Sequence, residues 1–132
     1  MEKPEIIVDV LIDEAYHVES GENGANMITF HGSLECDAFS GNIMPGAVDT
    51  QRKCGDKFTL SARYMIQGKD AKGNPASVFI ENNGTAAPDG KLPTTPKILT
   101  DCEGLKYLED AELYGTIDPV GENHIHINIF KK

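Results

Sequence analysis

The feature that most constrains this chain is a recurring alternation of apolar and polar residues with a period of two, cut by short clusters of Gly, Pro, Asn and Asp. Residues 5 to 18, EIIVDVLIDEAYHV, place Ile6, Val8, Val10 and Ile12 on one face, and Glu5, Asp9 and Asp13 with Ile7 and Leu11 on the other. Branched side chains at that period suit a half-buried strand, because successive residues of a strand point to opposite sides of the sheet. The polar cluster ESGENGAN reads as a turn, after which MITFHGSLE resumes with Ile28 and Phe30 opposite Met27, Thr29 and His31. The chain ends on HIHINIFKK, with Ile125, Ile127 and Ile129 facing away from His124, His126 and Asn128.

The middle follows the same grammar. AFSGNIMPG reads as a Gly-punctuated strand, DTQRKCGDK as a loop, and FTLSARYMIQ as a strand bounded by Gly68. GKDAKGNP turns the chain into ASVFIENN, where Val78, Ile80 and Asn82 share one face and Phe79, Glu81 and Asn83 the other. GTAAPDGKLPTTP, with three Pro and two Gly, is the longest loop. One short helix is expected near residues 101–109, opened by Thr100 and Glu103 in the T-x-x-E form of a capping box and carrying Leu105 and Leu108. AELYGTI is a further strand, and DPVGEN the turn before the last one. About eight strands in hairpin-like order indicate an all-β fold, a single antiparallel β-barrel over residues 1–132, with a two-sheet β-sandwich as the alternative. Closure removes the free edges of the sheet, and an eight-strand interior either fills with side chains or holds one small ligand.

Charge and cysteine content narrow the function. A net charge of −9 repels phosphate backbones and anionic membranes, which excludes nucleic acid and membrane surfaces as expected partners. No apolar run approaches the ~20 residues of a membrane-spanning helix. Cys36, Cys54 and Cys102 form an odd set without a CxxC pair, which fits reduced thiols in a cytoplasmic protein.

The candidate site is polar. Arg63 and Asn82 stand on strands that otherwise read as core, and Asp49, Gln51 and His31 are their expected neighbours. A guanidinium offers five donors in a rigid fork, so Arg63 either takes Asp49 bidentately and pins the barrel register, or leaves donors for a ligand. His124 and His126, two apart on one strand face, have the spacing of metal ligands, but Asn128, Lys131 and Lys132 follow them. They read as solvent-facing residues, and neither metal nor cofactor is assigned. Cys54 lies beside Arg52, Lys53 and Lys57, which favours a thiolate, yet no base is placed near it. GxSxG, HExxH and a phosphate-binding Gly loop are all absent from the sequence.

The stretch GSLECDAFSGNIMPGAVDTQ, with ARY, ENNG and PKILT, resembles the uncharacterised bacterial and fungal family known as domain of unknown function 3237. Against its P-G-G-A-D-W-Q motif, Pro45, Gly46, Asp49 and Gln51 match, while Ala47, Val48 and Thr50 stand in place of Gly, Ala and Trp. Ala62-Arg63-Tyr64, Asn82-Asn83-Gly84, and Pro96 with Thr100 supply the later signatures. The resemblance implies a one-domain antiparallel β-barrel without an established reaction. The expected function is binding of a small organic molecule at a polar site in the barrel lumen. Two alternatives stand beside it: an enzyme using that pocket for general acid/base chemistry, with Asp49 or His31 as base, and a structural module that forms a homodimer.

Overall fold

In the computed structural model, which describes residues 3–132, the alternating segments become nine strands of one antiparallel sheet. They are β1 (Ile6–Ser20), β2 (Asn23–Cys36), β3 (Phe39–Ile43), β4 (Val48–Cys54), β5 (Lys57–Asp70), β6 (Pro75–Thr85), β7 (Thr94–Thr100), β8 (Leu113–Gly121) and β9 (His124–Lys131). β1 pairs with both β9 and β2, so the sheet closes into a barrel-like ring of eight rather than splitting into two layers.

The ring holds eight positions for nine strands because β3 and β4 occupy one position end to end. β3 pairs with residues 33–36 of β2 and 66–70 of β5, whereas β4 pairs with residues 23–29 of β2 and 57–63 of β5. Close backbone approaches at β3 require glycine: Gly41 and Gly68 are cross-strand partners, and a Cβ on Gly68 would lie 1.9 Å from the Ser40 carbonyl oxygen.

One end of the interior is apolar. Val8, Leu34, Phe39, Ile66, Val78, Ile80 and Ile129 are all but sealed from solvent. Leu105 and Leu108 close that end from a 3-10 turn at Glu103–Leu105 and a single-turn helix, α1, at Tyr107–Asp110. The helix stands where the sequence puts it, but its cap differs. Thr100 Oγ1 accepts the Cys102 backbone N–H and donates to the Ser77 carbonyl, and it is Glu109, not Glu103, that accepts the Thr100 N–H.

Several boundaries move for one reason: backbone ladders continue through polar sequence. ESGENGAN is mostly strand, since Ser20 pairs with Asn23 across a two-residue turn in which Gly21 has φ +61°. DTQRKCGDK is not a loop but β4, a tight turn at Gly55 and Asp56, and the start of β5, which runs on through Gly68. The long loop shortens to residues 86–93. Beyond Leu11, β1 pairs only with β2, and its open edge carries Asp13, Glu14 and Glu19, charges that discourage pairing with another strand.

Candidate functional site

Ala62 orients the site. It pairs with Asp49 on β4 and with Asn82 on β6, so these three side chains share a face, and Ala62 is buried in the core. Strands about 4.8 Å apart set the Asp49 and Asn82 backbones roughly 10 Å from each other, with only a methyl between them. Two residues further along β5 on this inner face is Tyr64, which meets Phe30 edge to face at 5.3 Å. Thr94 lies in the neighbouring row of the same face, with Gln51, Leu60 and Gly84, and also pairs with Gly115. The polar residues thus occupy the end of the barrel opposite the helix.

Buried polar groups normally find a hydrogen-bond partner. Among the described residues five buried side-chain oxygens have none: Asp49 Oδ1, Tyr64 OH, Asn82 Oδ1 and Thr94 Oγ1 on the inner face, and Ser61 Oγ on the outer one. Asn82 is 1% exposed, so solvent does not reach it from outside.

The other oxygen of Asp49 is engaged. Oδ2 accepts from Gln51 Nε2 at 3.0 Å, Gln51 Oε1 accepts from Asn26 Nδ2 at 3.2 Å, and Asn26 Oδ1 meets His17 Nδ1 at the exposed end of the β1–β2 hairpin. A side-chain relay therefore joins a surface imidazole to a half-buried carboxyl. Burial raises the Asp49 pKa above the ordinary carboxylate value, and the Gln51 hydrogen bond only partly offsets this. Burial likewise pushes the Tyr64 phenol up. Both shifts favour neutral groups, which donate as well as accept.

Asp49, Gln51 and Asn82 are thus brought together inside, but Arg63 and His31 are not. Arg63 lies between Ala62 and Tyr64 and so points outward, where Nε donates to Glu81 Oε2 at 2.9 Å with 64% of the side chain exposed. The expected Asp49–Arg63 pair does not form, because the two residues stand on opposite faces of the sheet. His31 follows the inward Phe30 and also points out, its Nδ1 2.7 Å from Asp13 Oδ1. Arg63 and Arg52 edge an open outer groove of about 850 Å³, with Thr50, Thr59, Ser61 and Thr95 along it.

Sequence reasoning missed Tyr64, Asn26, His17 and Thr94. The parity of Leu60, Ala62, Tyr64 and Ile66 carried the signal for Tyr64. Asp9 was also missed: on the outer wall His124 Nε2 and His126 Nε2 approach Asp9 Oδ1 at 2.5 and 2.9 Å. The His124 hydrogen bond is the main cause that holds Asp9 below the ordinary carboxylate value. The three cysteines are free, with Cys102 buried and Cys54 exposed.

No protein-family model matches the chain. A stretch of 54 residues is 41% identical to a UPF0311 protein of Clostridium acetobutylicum, and the match covers 40% of this chain and 32% of that protein. The whole fold is similar to solved structures. A protein of unknown function from Clostridium acetobutylicum superposes with TM-score 0.78 at 20% identity, over 99% of this chain and 98% of that one. A β-barrel-like protein from Acinetobacter baumannii gives 0.73 at 13% identity, over 99% and 94%. A structure described as an enzyme from Penicillium herquei gives 0.54 at 17% identity, over 97% and 94%. These likenesses show a shared β-barrel-like fold.

Proposed function

We propose that this protein binds a small organic molecule at the inner polar face formed by Asp49, Tyr64, Asn82 and Thr94. The observation that carries the reading is that four of the five buried side-chain oxygens without partners among the described residues gather on this one face. Each such group costs about 1–3 kcal/mol when left unmade, so a site that keeps four of them is suited to a guest that supplies the bonds. The inner face presents a carboxyl, a phenol, an amide and a hydroxyl oxygen, which suits a guest bearing hydroxyl or carbonyl groups. The ARY and N-x-G signatures contribute Ala62, Tyr64, Asn82 and Gly84 to this face, which supports kinship with domain of unknown function 3237.

A thermal-shift and native mass-spectrometry screen of small metabolites tests the reading. Hits are expected to lose affinity in Asn82→Leu and Tyr64→Phe and to keep it in Arg63→Ala. Hits indifferent to both inner substitutions would place the ligand elsewhere.

A second reading rests on the relay from His17 through Asn26 and Gln51 to Asp49. A half-buried carboxyl with a raised pKa and a hydrogen-bonded path to solvent is equipped for general acid/base work. That a similarly folded Penicillium herquei protein is described as an enzyme supports asking the question. Turnover that vanishes in Asp49→Asn while ligand affinity persists is the expected signature; equal loss of both leaves binding alone.

A further inference from the structure

We propose that Asp9, His124 and His126 form a binding site for a divalent transition metal of the zinc class on the outer wall of the barrel, independent of the inner polar face. Asp9 and His126 are direct cross-strand partners on β1 and β9, and His124 lies two residues along on the same face. One potential ligand atom from each of the three residues lies within 4.8 Å of the other two. Both imidazoles aim at the same oxygen, and the rings stand 5.6 Å apart at an interplanar angle of 84°. Three donors thus converge on one point from two strands.

The scaffold holds them there. The inward neighbours of Asp9 are Val8 and Val10, at 0% and 2% exposure, and Ile127, beside His126, is buried with them. The ligands are therefore mounted on strands fixed by core packing, and only side-chain torsions remain to adjust. Zinc sits about 2.0–2.2 Å from nitrogen and oxygen donors, which in a tetrahedron puts donors roughly 3.3 Å apart. The present N···O separations of 2.5 and 2.9 Å need to open by less than about 1 Å.

Donor chemistry selects the ion. Two imidazoles with one carboxylate suit zinc, cobalt or iron(II), whereas magnesium and calcium want oxygen shells. The three side chains are each about a third exposed, so the remaining coordination positions face solvent. On the far side of His126 its β8 partner is Asp118, whose carboxylate is held by Asn128 Nδ2 at 2.7 Å. Elsewhere among the described residues the contacts of His31 with Asp13 and of His17 with Glu19 bring two ionisable groups together, not three.

The alternative is a plain ion-pair network in which the imidazoles serve only Asp9. Titrating the whole metal-free protein with cobalt(II) and zinc(II), by visible absorption and calorimetry, separates the two. A single saturable site is expected, with cobalt bands of four- or five-coordinate intensity and no displacement by excess magnesium. Affinity should fall at least tenfold in His124→Asn, His126→Asn or Asp9→Asn and be lost in the double histidine variant. It should be unchanged in His31→Asn and Cys54→Ser. Should a variant unfold, imidazole proton resonances of the unaltered protein decide: zinc should move His124 and His126 and spare His17 and His31. Absence of saturable binding, or binding that survives the double variant, would overturn the site.

Discussion

Replacing Asn82 by Leu tests the inner face most directly, because the two side chains have the same heavy-atom skeleton and differ only in polarity. Asn82 is 1% exposed and its Oδ1 has no partner. Removing an unmade buried acceptor without changing shape relieves about 1–3 kcal/mol of desolvation cost. At about 2.1 cal/mol/K per residue, 132 residues give an unfolding entropy near 0.28 kcal/mol/K, so the ligand-free variant should melt about 4–11 °C higher. Urea denaturation should report the same gain as a raised midpoint at constant slope. Ligand affinity should meanwhile drop, since the acceptor facing the guest is gone. Stability gained at the expense of binding is the mark of a functional polar group. The reasoning fails if the variant is destabilised by about 1 kcal/mol or more, for the amide would then be serving the fold itself.

Three further outcomes follow from the geometry. Asp49 has a folded pKa raised above the ordinary 3.8, so its contribution to stability is fully present below the unfolded value and is lost as pH rises through the folded one. Asp49→Asn should therefore gain stability over wild type from about pH 4 upward and show no such gain at about pH 3, read from denaturation midpoints across that range. Arg63→Ala should change stability by no more than about 1 kcal/mol in the same assay, because its pair with Glu81 is solvent-exposed. Gly68→Ala forces a Cβ against the Ser40 carbonyl oxygen and the Gly41 Cα, and should destabilise by more than about 3 kcal/mol or prevent folding, measured by circular dichroism and denaturant titration.

The strands most legible in the sequence were those with one wholly apolar face. Ile6, Val8 and Val10 at the start and Ile125, Ile127 and Ile129 at the end declare both period and direction. β4 was hidden for the converse reason. Its inner face at Asp49 and Gln51 is polar, so the alternation that identifies a strand is missing from the strand that carries the site. Arg63 was misplaced because Ala62 and Tyr64 on one side and Arg63 and Met65 on the other both look mixed. Only counting back from Ile66 through Tyr64 settles the parity. Asn82 fell on the correct face because Val78 and Ile80 precede it in step. Neither the relay to His17 nor the meeting of Asp9 with His124 and His126 was readable, since each depends on register between strands distant in sequence.

The shared position of β3 and β4 in the wall has a mechanical consequence. Each short strand latches β2 to β5 over its own half of the barrel, β3 beside the apolar end and β4 beside the polar one. Peeling β4 away would break its ladders to β2 and β5 and uncover Asp49 and Gln51 while β3 still holds the ring shut. The wall is thus latched twice between the same two strands, and only the β4 latch carries a residue of the polar face.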